Sequence, residues 1–147
     1  MDFLPTRTRI CLDFDGVLSE YKGHKGVHHH GPPIPGTKKF LQDLKKANIE
    51  IVVLTTKDAR GSIMEWFKKN KLPLPDAITD HKVPASAYVD DRAVYFDGNF
   101  THLTKKLRTF RVHWKKNKPF ENLGKKKKKW RPTAGNEFPA PLSASTF

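Results

Sequence analysis

RICLDFDGVL, residues 9–18, is the stretch on which the reading of this chain turns. Ile10, Cys11 and Leu12 form an apolar run that leads into Asp13 and Asp15, and Gly16 then breaks it. The segment reads as a buried strand ending in a turn. Two carboxylates therefore stand at the C-terminal end of a strand, the edge at which open α/β sheets bind their ligands. At ~4 Å, two like charges repel by on the order of 4 kcal/mol at an effective dielectric of ~20. Such a pair calls for a cation or a shared proton. Alone, a DxD sequence also fits a helix cap or an Asx turn, so the rest of the chain has to decide.

Working outward, residues 19–35 hold Gly, Pro and His without any apolar period and read as a surface connection. Gly36 and Thr37 open a helix that ends at Asn48, with Phe40, Leu41, Leu44 and Ala47 on one face. IEIVVL, residues 49–54, is a second buried strand, closed by the hydroxyls of Thr55 and Thr56. A second helix over residues 59–70 buries Ile63, Trp66 and Phe67 until LPLP stops it. Residues 77–79 and 87–89 are short strands, the latter running into Asp90 and Asp91. Beyond Arg92, residues 93–100 form a hairpin or a loop, 101–110 a last helix and 110–114 an edge strand. This alternation predicts an α/β fold: a doubly wound three-layer sandwich with a mostly parallel central sheet and right-handed crossovers.

The 147 residues suffice for one domain, residues 1–114, followed by a tail over 115–147 that reads as mobile or loosely docked. The net charge of +13 is concentrated in that tail, because residues 111–147 carry 10 basic and 2 acidic side chains. A field of this sign favours polyanions. Lysines 125–129 adjoin Trp130, with Trp114, Phe120 and Phe138 interspersed. That mixture can join phosphate attraction to base stacking on nucleic acid, or serve only as a solubilising end. Cys11 is the sole cysteine, so no disulfide forms within the chain. No apolar segment approaches the ~20 residues of a membrane span, and MDFLPTRTRI lacks the pattern of a signal peptide. A soluble, cytoplasmic protein without membrane contact is expected.

Four features fall in one order: DFDGV from Asp13, the hydroxyl of Thr55 after an apolar strand, Lys82, and the acids Asp90 and Asp91 after another strand. Together they resemble the haloacid dehalogenase (HAD) superfamily of phosphatases, over about residues 10–98. KVPASAYVDDRAV also resembles the way small members lead from their lysine into their acidic pair.

The resemblance implies Mg2+-dependent hydrolysis of a phosphomonoester. Asp13 would be the nucleophile forming an aspartyl phosphate, and Asp15 would protonate the leaving oxygen and then activate water. Gly16, Thr55 and Lys82 would serve the phosphate: Gly16 by a sharp turn beneath it, Thr55 by a hydrogen bond, Lys82 by its point charge. Hard oxygen ligands for Mg2+ would come from Asp13, the main-chain carbonyl of Asp15, and Asp90 or Asp91, with Asp90 preferred as the direct ligand. Lys57 and Arg60 read either as substrate contacts or as a solvated helix start, and Arg92 as a charge balance. His24 and His28, His29 and His30 lack the spacing of a structural zinc site, which leaves a loop overhanging the site. Residues 16–54 and 56–81 have no room for a sizeable cap domain, so the site should be open to large substrates. A nucleotide or polynucleotide end leads the candidates, ahead of a small metabolite or a phosphoprotein. A non-catalytic basic nucleic-acid-binding module is the reading from another class.

Overall fold

Arg9–Asp13 forms β1, and the computed structural model, which describes residues 7–126, builds its sheet around this strand. The remaining elements are α1 (Thr37–Lys46), β2 (Glu50–Leu54), α2 (Arg60–Lys69), β3 (Ala77–Thr79), β4 (Ala87–Val89) and α3 (Phe100–Thr109). The four strands are ordered β3-β2-β1-β4, and every pairing is parallel. The chain steps outward from β1 to β2 to β3 through α1 and α2, then residues 80–86 carry it, without a helix, to the other side of β1. Strand order reverses at β1, and in open α/β sheets such a reversal opens a crevice at the strands' carboxyl ends.

Register explains which side chains form the core. Leu12 lies opposite Val53 and Ile10 opposite Ile51, so these four share one face. Leu41 and Leu44 of α1 and Ile63, Trp66 and Phe67 of α2 pack on the same cluster. Cys11 and Val52 point the other way and are also buried; burial raises the Cys11 thiol above its ordinary pKa. Both helices stop in the same manner. Asn48 and Lys71 take left-handed φ angles of 56° and 53°. The following amides, of Ile49 and Leu72, then bond back to Leu44 and Phe67.

Two local expectations are corrected. Phe40, 42% exposed, and Ala47 do not belong to the buried face of α1. Its buried positions are Thr37, Leu41 and Leu44, a single narrow row. Residues 110–114 form no strand: the Phe110 amide closes α3 on Leu107, and a turn joins Lys115 to Val112. Residues 93–99 are loop rather than hairpin. Of the predicted tail, residues 115–126 are described. Arg108 Nε donates to the Leu123 carbonyl at 2.6 Å, and the Phe120 ring lies 6.4 Å from that of Phe110. Trp130, Phe138 and lysines 127–129 lie outside the described residues. Among the described residues no helix is long and apolar enough to cross a membrane.

Candidate functional site

Phe14 explains how two acids come to be presented together. Its side chain is fully buried, with the Trp66 ring 4.9 Å away and edge-on and the His30 ring edge-on at 5.2 Å. Asp13 and Asp15, on either side of this anchor, are left half-buried at the sheet's carboxyl edge. The turn that follows is tight. The amides of Leu18 and Ser19 both bond to the Phe14 carbonyl, and Gly16 adopts φ of 84°, a conformation that favours glycine.

β2 ends at Leu54, and Thr55 follows as a buried hydroxyl that accepts the Lys57 amide at 3.2 Å. That acceptor role leaves its own hydrogen available for a ligand oxygen. β4 ends at Val89, next to β1, which brings Asp90 and Asp91 beside Asp13. Carboxylate oxygens of Asp13, Asp90 and Asp91 all lie within 4.8 Å of one another. Asp13, Asp15, Thr55, Lys82, Asp90 and Asp91 line one cleft of about 480 Å3, with Tyr21 and Arg92 at the same opening. The Lys82 ammonium sits 4.6 Å from the centre of the Tyr88 ring. Gly16 is the exception. It does not line the cleft, and the atoms nearest to where a side chain would stand belong to Asp91 and Trp114.

The acids strain against one another electrostatically. Burial pushes Asp13 up to about 8, helped by its hydrogen bond to Asp91 and by the charges of Asp90 and Asp91; the Phe14 amide opposes the shift. Burial would raise Asp91 too, but hydrogen bonds from Asp13 and the Trp114 indole hold it below the usual carboxylate range. The two carboxyls thus titrate as a pair that shares a proton. The donor set is entirely hard oxygen, and a divalent cation in place of that proton would let all three acids ionise. These residues fit Mg2+.

Lys57 carries more of the site than its place in the sequence implies. Its ammonium stands 3.0 Å from Asp15 Oδ2 and 2.9 Å from the His29 carbonyl, and the Lys57 and Asp15 side chains are only 9% and 18% exposed. It is an interior ion pair, not the solvated helix start. Loop 19–35 makes it so by folding over the lysine: Ser62 Oγ meets His28 Nδ1 at 3.0 Å and His30 Nε2 at 2.8 Å, and Trp66 Nε1 donates to the Gly31 carbonyl. His28 and His30 are therefore spent on pinning the loop to α2. Burial and the Lys57 charge hold His30 below its ordinary pKa.

Two residues that the sequence did not mark as part of the site also reach it. Trp114 Nε1 donates to Asp91 Oδ2 at 2.6 Å, and His113 Nε2 donates to the Gly16 carbonyl at 2.6 Å. A tryptophan and a histidine after the last helix carry no spacing signal that ties them to an acid far back in the chain.

No family model matches this sequence, and no curated protein matches it. A solved structure from Bacteroides thetaiotaomicron, described as a conserved protein, is similar over 70% of this chain and 91% of that one. The identity is 18% and the TM-score 0.49. That likeness carries no argument about activity or substrate.

Proposed function

We propose that this protein is a Mg2+-dependent phosphomonoester hydrolase of the HAD type, with no sizeable cap over its cleft. The observation that carries the reading is the meeting of six residues from four separate places in the sequence, Asp13, Asp15, Thr55, Lys82, Asp90 and Asp91, in one cleft at the carboxyl edge of the sheet. Asp13 Oδ attacks phosphorus while the bond to the leaving oxygen breaks, and Asp15, in its protonated form and so released from the Lys57 ion pair, delivers a proton to that oxygen. Asp15, now a carboxylate, takes a proton from water. The resulting hydroxide attacks phosphorus, which releases inorganic phosphate and restores Asp13. Thr55 and Lys82 meet the phosphoryl oxygens. Asp13, Asp90 and Asp91 would hold Mg2+, whose charge would keep Asp13 ionised and offset that of the phosphate. Lys57 fixes the orientation of Asp15 while that acid is ionised.

Tyr21 at the cleft and the basic C-terminal sequence favour a nucleotide or polynucleotide end as substrate. The test is phosphate release from a small generic phosphomonoester, with and without Mg2+, comparing wild type with Asp13→Asn. Mg2+-dependent release that the substitution abolishes supports the reading. No release from the small ester, nor from 5′- or 3′-phosphorylated oligonucleotides, would overturn it and favour a nucleic-acid-binding module without turnover.

A further inference from the structure

Trp114 lies in a segment with neither helix nor strand, yet it is one of the most constrained side chains near the cleft. The Tyr21 ring packs edge-on against it at 4.8 Å, the Arg92 guanidinium lies over it at 5.4 Å, and the Lys115 ammonium at 4.9 Å. So held, its indole N–H meets Asp91 Oδ2 at 2.6 Å. The neighbouring residue is tied to the same place, because His113 Nε2 donates to the Gly16 carbonyl at 2.6 Å. Gly16 completes the fit. A Cβ there would stand 2.5 Å from Asp91 Oδ2 and 3.1 Å from Trp114 Nε1, so the glycine is a notch into which this hydrogen bond is seated.

We propose that Trp114 is a positioning residue for the metal centre: it commits one oxygen of Asp91 to the indole and thereby aims the other at the cluster with Asp13 and Asp90. The inference rests on the metal reading given above and extends it to a residue outside the cation's own ligand set. An aspartate rotates freely about two torsions. A donor fixed from outside removes that freedom, and outer partners of this kind typically alter metal affinity by about 10–100-fold. The consequence is that the cation site is built from both ends of the described chain, β1 supplying Asp13 and the residues after α3 aligning Asp91.

The experiment is calorimetric titration of the full chain with Mg2+ alone, no substrate present, for wild type and Trp114→Phe. Phenylalanine keeps an aromatic ring between Tyr21, Arg92 and Lys115 but has no N–H. Affinity is expected to fall about 10–100-fold, on top of the modest drop in metal-free thermal stability that loss of the indole bond to Asp91 brings. The Mg2+-dependent change in tryptophan fluorescence should shrink in the variant. Should Trp114→Phe not fold, His113→Ala reads the same strap through its other tie, and weaker Mg2+ binding is expected there too. A folded variant that binds Mg2+ as tightly as wild type overturns the role of Trp114 and leaves the hydrolase reading standing. If wild type itself takes up no Mg2+, the metal reading fails, and this inference with it.

Discussion

Replacing Lys57 with methionine removes the cation that faces Asp15 while keeping most of the side chain's length. The ammonium is 3.0 Å from Asp15 Oδ1 and 3.0 Å from Oδ2. At that separation and an effective dielectric of ~20, the direct attraction is roughly 5 kcal/mol. Desolvation of two poorly exposed ions offsets a large part of it. Asp15 keeps one weaker donor, Ser19 Oγ at 3.4 Å, so the abandoned carboxylate is not wholly unpaired. The net coupling should be about 2 kcal/mol, inside the ~0.5–3 kcal/mol found for contacting pairs. Lys57→Met alone should cost about 2–3 kcal/mol, because it leaves a charge behind in a site with little water. For a domain of this size that lowers the melting temperature by roughly 10 °C. Asp15→Asn should cost less, and the double variant less than the sum. The assay is urea unfolding of the four proteins at one salt concentration, which isolates the pair from the Lys57 bond to His29. A coupling energy below ~0.5 kcal/mol would refute the interior ion pair.

Two further outcomes follow from the carboxylate cluster. The folded pKa of Asp13 is about 8, above that of a free carboxyl, so its neutral form is the one the metal-free fold favours. Its contribution is fully present below about pH 4 and lost as pH rises through the folded value. Asp91, held low, contributes stability that is present above about pH 4 and is lost as pH falls below it. Metal-free protein should therefore lose a few kcal/mol between about pH 5 and 9, and Mg2+ should flatten the decline; identical melting profiles with chelator and with Mg2+ would contradict this. Gly16→Ala combines a φ of 84° with a Cβ 2.5 Å from Asp91 Oδ2. It should cost roughly 1–3 kcal/mol and weaken Mg2+ binding, both readable by denaturation and calorimetry.

The elements with a single strong signal were legible in the sequence. β1 and β2 are short apolar runs bounded by polar residues, α2 carries its buried face at Ile63, Trp66 and Phe67, and the acids fall at strand ends as their spacing implies. What was not legible depends on tertiary contact. Periodicity cannot tell that Phe40 overhangs the narrow row by which α1 meets the sheet. Lys57 looks like any lysine ahead of a helix until loop 19–35 closes over it. The apolar alternation from Phe110 to Trp114 imitates a strand, although Trp114 is placed by a hydrogen bond to Asp91 that no local pattern encodes. Gly16 shows the same limit: its turn was readable, while the neighbour that requires the missing side chain was not.

The tie between His113 and Gly16 spans 97 residues of sequence. β1 likewise waits for partners that follow much later, pairing Ile10 with Ile51 on one side and with Ala87 on the other. Contacts so distant must meet the entropy of closing long loops before they reward it, which slows the search for the native state. The segment of His113 and Trp114 contacts the β1 turn and the acid after β4, so its native contacts require both to be in place. A cation held by the finished cluster therefore has little to grip in the folding transition state. Interactions absent from that barrier act on the reverse rate, so Mg2+ would work here as a brake on unfolding and leave the speed of folding almost untouched.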